Sequence, residues 1–422
     1  MTPGDALDAS ASAGAEAGTR AADTTTVACD LVRIGMFFDG TGNSRDEVGT
    51  GNIDSWHSNV DLLQYRYKNS GDPEVAIVNG AEIQARFGRR YIRGVGIEEG
   101  GGNQQWGFPR GTAWGTGPEG DNARTQEWLE AARQEIRVKA DGLEPCFVWL
   151  DVFGFSRGAC VARDFANDIK EGAIEFAGQT AKVQFMGLWD TVSSIGNAGN
   201  MGNWDAEGVR INTSETAEDI VHITAKDELR VNFPLTRASK GLQIDMIGAH
   251  SDIGGGYEPG TTKGSVSYYI AEGMEPFFNT VATRWGLDLG EWQEDYSVRD
   301  RESATFDGDQ LREVILLSSP SHHAKIFRWE AEHGLQFVSL RIMHDQAVNK
   351  KVPLEPLGDN IEGIKVGISG DLLAYYNQIK SPPHKSDPQT ELEIRRKYAH
   401  MSANASIGMG PEPSGKRRQT SM

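Results

Sequence analysis

Short apolar runs of strand length recur along the middle of this 422-residue chain and alternate with amphipathic stretches. The runs are rich in Val, Ile, Phe and Leu and nearly continuous in apolarity, which is typical of strands buried on both faces of a parallel sheet. The pattern predicts five strands, at 31–38, 145–153, 182–189, 242–249 and 335–343.

A helical pattern precedes the second of these runs. Residues 122–138 place Trp128, Leu129 and Ile136 on one stripe, and a Gly142-Leu143 stop follows. The resulting strand–helix–strand order predicts an α/β fold with a mostly parallel, doubly wound sheet and flanking helices.

Two long segments interrupt this rhythm. The loop 98–120 is glycine-rich and carries Trp106 and Trp114; loops of this length are usually lids or mobile segments. The stretch 259–312 has a helical pattern and predicts a helical cap over the sheet.

The two ends of the chain differ in composition from its middle. Residues 1–30 are rich in Ala, Ser, Gly and Thr and cannot bury enough surface to offset their ordering entropy, which predicts a disordered tail. We expect one domain over residues 31–380, and a C-terminal extension, 381–422, whose last part is a solvated, disordered tail with a short basic cluster.

Charge and cysteine content narrow the class of protein. With 42 Lys+Arg against 60 Asp+Glu the net charge is −18, so nucleic-acid binding is disfavoured. The three cysteines fit neither a zinc site nor a disulfide framework, so we expect no disulfide. Because the N-terminus lacks an apolar export signal and no run is long enough to span a bilayer, we expect synthesis in the cytoplasm.

The strongest chemical motif is Gly154-Phe155-Ser156-Arg157-Gly158, which lies between a predicted strand and a predicted helix. A G-x-S-x-G in this context is a nucleophile elbow: small residues allow the sharp turn that exposes the serine hydroxyl at a helix N-terminus. The motif predicts Ser156 as the nucleophile of a serine hydrolase of the α/β-hydrolase type.

A nucleophilic serine needs a base and an orienting acid, which in α/β-hydrolases follow it in the order acid, then histidine. We favour Asp252 as the acid, with Asp190 as the alternative, and expect Asp245 to face a packed helix. His344, at the end of the last predicted strand, is the favoured base, and His250 is the alternative.

Two backbone amides are candidates for an oxyanion hole. One is the amide of Arg157, and the other is that of Gly40, in the turn Asp39-Gly40-Thr41-Gly42-Asn43 after the first strand. A phosphate nest, or simple capping of the turn by Asp39, are the alternatives for this segment. We expect no metal or other cofactor. A metal-dependent phosphatase would have to use Asp39, Asp190, Asp252 and His250, which are scattered over three loops.

Five separated motifs together resemble one family. They are the elbow, FFDGTGN (37–43), YIRGVG (91–96), GLWDTV (187–192) and GAHSDIGGGY (248–257). Over about 31–350 the chain resembles the catalytic domain of Tle1-like phospholipase effectors of type VI secretion, also described as a DUF2235 α/β-hydrolase domain. The resemblance implies Ser156 and Asp252 as catalytic residues, and a late histidine that we map to His344.

The resemblance also implies partners and a place of action. These are a phospholipid or other acyl-ester substrate, a cognate immunity protein, a secretion spike or adaptor protein, and delivery into the periplasm of a target cell. Peripheral membrane contact would run through loop 98–120, with Trp106 and Trp114 inserting; alternatively both pack under the cap. The alternative function is a catalytically inactive hydrolase-fold cargo module of the secretion apparatus.

Overall fold

The structure is a computed structural model. It describes residues 30–48, 56–94, 121–193, 210–258, 261–270, 315–319 and 323–402, and single positions within 280–285 and 412–420. The predicted N-terminal tail and the loop 98–120, with Trp106 and Trp114, lie outside the described residues.

A mostly parallel seven-stranded sheet forms the centre of the fold. In chain order the strands are β1 (Asp30–Phe38), β2 (Glu74–Val78), β3 (Ala81–Ile92), β4 (Phe147–Phe155), β5 (Glu175–Phe176), β6 (Gln179–Thr180), β7 (Lys182–Trp189), β8 (Asp219–Ala225), β9 (Leu235–Thr236), β10 (Leu242–Met246), β11 (Thr261–Ile270), β12 (Ile315–Ser319), β13 (His323–Glu332), β14 (Asn360–Ile361), β15 (Ile364–Lys365) and β16 (Gln419–Thr420). The central sheet has the order β10-β8-β7-β4-β1-β3-β2. Only β2 is antiparallel to its neighbour, so the predicted α/β class is confirmed.

Helices cover both faces of this sheet. They are α1 (Asn59–Gln64), α2 (Asp121–Ala140), α3 (Arg157–Lys170), α4 (His250–Gly254), α5 (Leu335–Asn349), α6 (Gly370–Ile379) and α7 (Pro388–Tyr398), with a 3-10 helix at Arg45–Glu47. Along β1, Ile34 and Phe38 pack toward α2 and α3, whereas Phe37 packs toward α1 and α5. This alternation buries the strand on both faces, as its continuous apolarity predicts.

Four of the five predicted strands are present, and the fifth prediction is wrong. Residues 335–343 belong to helix α5. A short, continuous apolar run looks the same whether a strand or a fully buried helix contains it, because neither element leaves a polar face to show its period. Strands β3 and β8 were not predicted; β3 carries many polar residues.

The prediction of a helical cap over 259–312 is wrong at its start. Positions 280 and 283–285 are helical, and the other residues from 271 to 312 lie outside the described part of the chain. Thr261–Ile270 is strand β11, which pairs antiparallel with β13, and β13 pairs with β12. β-Branched and aromatic residues dominate the end of β11, and such residues favour strands. Asp245 does not face a helix; its side chain is 44% exposed and pairs with Arg237 at 2.9 Å.

Two expectations about covalent and terminal structure were wrong as well. Cys146 is disulfide-bonded, whereas Cys160 is a free, buried thiol. The amide of Cys146 also donates to the Asp30 carbonyl at 2.9 Å; spacing along the chain does not reveal which segments lie together in this way. In the C-terminal segment, β16 pairs with β9, so these residues are not a solvated tail.

None of the described helices is both long enough and apolar enough to cross a membrane.

Candidate active site

The elbow predicted around Ser156 has the expected backbone. Ser156 joins the end of β4 to the start of α3 with φ 57° and ψ −124°, a conformation strained for a residue with a side chain. Its side chain is buried but not sealed off, at 6% exposure. A strained turn of this kind between a strand and a helix is what a nucleophile elbow requires.

The two glycines of the motif are needed because backbone approaches them closely. A Cβ on Gly154 would lie 2.6 Å from the Gly158 carbonyl oxygen, and one on Gly158 would lie 2.2 Å from the Asp39 carbonyl oxygen. Any larger residue would push the first turn of α3 away from β4, or the end of β1 away from the elbow. The G-x-S-x-G spacing is therefore a packing requirement at this site.

Asp190 lies directly beside the elbow, at the end of the neighbouring strand β7. The Ser156 amide donates to the Trp189 carbonyl at 3.0 Å, which fixes Asp190 next to the serine. The Asp190 carboxylate accepts from Arg417 Nη1 at 2.6 Å and from Arg417 Nη2 at 2.8 Å. Burial works to raise its pKa, but the charge of Arg417 and the bond from His250 hold that pKa well below its usual range.

His250 completes a pair with this carboxylate. Its Nδ1 lies 2.6 Å from Asp190 Oδ2, and its ring packs 4.6 Å from the Phe155 ring, next to Ser156. Burial lowers the pKa of His250, against the opposing interaction with Asp190, and so favours the neutral imidazole. With Nδ1–H donating to the carboxylate, Nε2 carries the lone pair that a general base uses.

Asp252 belongs to a second pair on the opposite face of α4. His250 and Gly254 are one turn apart and both contact Phe155, so Asp252, midway between them, points away from the elbow. Its carboxylate accepts from the amides of Ala249 and His400, each at 2.8 Å, and lies 2.6 Å from His400 Nδ1. No hydrogen bond between described residues joins the Ser156 hydroxyl to the imidazole of either pair.

The prediction of His344 as the base needs correction. His344 lies inside helix α5, and not on a loop after a strand. Its Nε2 lies 2.9 Å from the Glu355 carbonyl oxygen and its Nδ1 lies 3.3 Å from Asp345 Oδ1. The histidine that meets Asp252 is His400, just after α7, which the sequence pattern did not single out.

The turn after β1 packs against the elbow. A Cβ on Gly40 would lie 2.5 Å from the Phe155 ring. The Gly40 amide donates to Asp39 Oδ1 at 2.7 Å, and Tyr91 donates to Asp39 Oδ2 at 2.5 Å. Asp39 therefore caps this turn and engages the Gly40 amide, which argues against the predicted oxyanion role of Gly40. An oxyanion role for the Arg157 amide, at the start of α3, stays a prediction.

Asp39 predicts a pH-dependent stability. Burial raises its pKa from an ordinary 3.8 to about 7, although bonds from Ser58 and Tyr91 oppose this. The folded protein then keeps a proton that the unfolded chain releases, so stability falls as the pH rises through this window. Asp39→Asn, which cannot ionise, should gain ~2–4 kcal/mol over the wild type between pH 4 and pH 8, measured by urea unfolding at both pH values. Asp72→Asn removes an exposed carboxylate as a control, and a pH-independent difference for Asp39→Asn would contradict the assignment.

The residues of a metal-dependent phosphatase do not come together. Asp190 and His250 bind each other, Asp252 faces the other side of α4, and Asp39 caps its own turn. Within the part of the chain that the structure describes, no group of three or more His, Cys, Asp or Glu side chains is arranged to hold a metal ion.

The fold and elbow define an α/β-hydrolase-like protein, and comparison with known proteins narrows this class. A family model described as "T6SS, Phospholipase effector Tle1-like, catalytic domain" matches residues 166–274, which include Asp190, His250 and Asp252. The resemblance seen in the motifs is therefore confirmed over these residues. No curated protein matched the chain.

One solved structure shares the fold of this chain over most of its length. The "Structure of the Tle1 effector bound to the VgrG spike from the Type 6 secretion system" matches with a TM-score of 0.58 and 20% identity, covering 93% of this chain and 94% of that one. An uncharacterized protein from Pseudomonas aeruginosa matches with a TM-score of 0.46 and 18% identity, covering 87% of this chain and 53% of that one. At 20% identity the first match shows the shared fold.

Proposed function

We propose that this protein is a serine hydrolase that cleaves carboxylic esters of phospholipids as a type VI secretion effector, with Ser156 as nucleophile, His250 as base and Asp190 as orienting acid. The observation that carries the proposal is His250, held by Asp190 at 2.6 Å beside a strained serine elbow. The chain order Ser156, Asp190, His250 is also that of α/β-hydrolases.

The geometry supports a two-step acyl transfer. Ser156 Oγ attacks the ester carbonyl carbon while His250 Nε2 takes the hydroxyl proton, and Asp190 stabilises the imidazolium that forms. The amide of Arg157, at the start of α3, is proposed to bind the oxyanion. Collapse releases the alcohol, a lysophospholipid, which receives the proton from His250; water then cleaves the acyl-enzyme and releases a fatty acid.

Delivery and partners follow from the relatives and are part of the same proposal. The Tle1 effector in the similar structure is bound to a VgrG spike, and we propose a secretion spike or adaptor as a partner here. A cognate immunity protein and action on the target cell's periplasmic membrane face complete the proposal. The docking role of Trp106 and Trp114 remains a prediction.

A covalent probe separates this function from the inactive cargo module. A fluorophosphonate should label the wild type at one site, and Ser156→Ala should abolish both labelling and release of fatty acid from phosphatidylethanolamine and phosphatidylglycerol vesicles, measured by mass spectrometry. Ser251→Ala is the matched control, because that serine lies on α4 outside the elbow. Absence of labelling in folded wild-type protein favours the cargo module, and EDTA-sensitive phosphomonoesterase activity that survives Ser156→Ala favours the phosphatase.

A further inference from the structure

A pocket rich in arginine lies at the carboxyl end of β3. It has a volume of about 440 Å³, and its lining includes Arg45, Arg89, Arg90 and Arg93 together with Tyr91 and one carboxylate, Asp46. Four arginines and one carboxylate thus line the pocket in a chain whose net charge is −18, and Glu362 and Glu135 interact electrostatically with Arg89 and Arg90. A local excess of this kind marks a place where anions are attracted.

Neutral groups hold Arg89 and Arg45 in place in addition to the charged ones. Arg89 Nη1 donates to the backbone carbonyl of Gln64 at 2.6 Å and to that of Tyr67 at 3.3 Å, and neither acceptor is anionic. Arg45 lies over the Tyr91 ring at 4.9 Å. Its pair with Asp46, at 3.0 Å, is on the surface, where such pairs contribute little.

Arg45 and Arg89 also repel each other. Burial lowers the pKa of Arg89, and the positive charge of Arg45 acts in the same direction, against Tyr65 and Glu362. An anion bound between the two guanidinium groups would relieve this repulsion. Their planar arrays of donors match the oxygen atoms of a phosphate group.

The pocket is connected to the elbow. Tyr91 accepts from the Arg45 amide at 3.1 Å and donates to Asp39 Oδ2 at 2.5 Å, and the Asp39 backbone packs on Gly158 of the elbow. In the sheet β3 is separated from β4 by β1 alone, so the strand ends are ~10 Å apart. The phosphodiester and the acyl esters of a glycerophospholipid are joined by a few bonds, so one lipid molecule can span a separation of this size.

We propose that this arginine pocket binds the phosphodiester of a glycerophospholipid while Ser156 attacks its acyl ester. The inference rests on the proposed function and adds to it a determinant of substrate class. The arginine pocket would give this acidic protein a local binding site for an anionic lipid headgroup, separate from loop 98–120.

Kinetics on two substrates test the proposal. Arg45→Gln should lower kcat/KM about ten- to hundredfold on a phosphatidylglycerol substrate, because it removes charge-assisted hydrogen bonds to phosphate. It should change kcat/KM less than threefold on diacylglycerol, which has no phosphate. Arg89→Lys, which keeps a cation but loses the planar donors, should show the same selectivity, and Arg137→Gln on helix α2 is the control for loss of one positive charge. Equal losses on both substrates, or none on either, overturn the proposal, with thermal unfolding used to exclude variants that do not fold.

A binding measurement separates this inference from the proposed function. In the Ser156→Ala background, calorimetry with a soluble short-chain phosphatidylglycerol and with inorganic phosphate reports binding without turnover. Binding of the lipid that Arg45→Gln abolishes supports the pocket even if no esterase activity is found. Binding of inorganic phosphate alone identifies a free-phosphate site and overturns the lipid proposal, as does binding of neither.

Discussion

His250→Ala is expected to lower kcat for ester hydrolysis by ~10⁴- to 10⁶-fold, about as much as Ser156→Ala, because members of a catalytic triad act as a unit. His250 carries the imidazole that Asp190 orients beside the elbow. The double variant Ser156→Ala/His250→Ala should lose little more than either single variant. Purified proteins would be compared on one soluble ester, with circular dichroism confirming the fold.

Two other histidines provide matched controls for this result. His344→Ala should retain kcat within tenfold. His344 lies on α5, and its hydrogen-bond partners are the Asp345 carboxylate and the Glu355 carbonyl, not Asp190 or Asp252. His400→Ala tests the second pair. If His400→Ala abolishes turnover while His250→Ala does not, Asp252 and His400 are the catalytic pair.

The part of the site that could be predicted from the sequence is local. The strand, the strained serine and the helix around Ser156 are contiguous, so apolar pattern and glycine spacing were enough to predict them. The candidate acids were also predictable, because the carboxyl ends of parallel strands meet at one edge of a sheet. Which acid meets which histidine was not predictable: His250 and Asp252 are two residues apart, and only the orientation of α4 sends them to opposite sides.

The residues that contact the site from distant parts of the chain show no recognisable pattern in the sequence. The prediction of His344 as base depended on a strand at 335–343, and that run is helix α5. Arg417 lies in a polar segment whose composition resembles a solvated tail, yet its guanidinium is bound to the buried carboxylate of Asp190. A buried ion pair between distant segments depends on tertiary packing, so neither residue type nor spacing along the chain predicts it.

Arg417→Met is expected to lower the free energy of unfolding by ~3–5 kcal/mol, because it leaves the Asp190 carboxylate buried without its bidentate partner. The side chains of Arg417 and Asp190 are 5% and 0% exposed. The charge of Arg417 is the largest influence that lowers the pKa of Asp190, so the variant should raise that pKa. The wild type loses this stabilisation only when the pH falls below 3.8, the ordinary pKa of an aspartate. The variant should lose it at a higher pH. Its kcat should fall over the same pH range, because a protonated Asp190 orients His250 poorly.

Lys416→Met is the matched control, because it removes a neighbouring cation whose side chain is exposed. It should change the free energy of unfolding by less than ~0.5 kcal/mol, as surface substitutions usually do. Urea unfolding and ester turnover would be measured on both variants at pH 5 and pH 8. If Arg417→Met behaves like Lys416→Met in both assays, the C-terminal segment does not hold Asp190 in solution, and the orienting acid depends on His250 and the Ala225 amide, which donates to it at 2.9 Å.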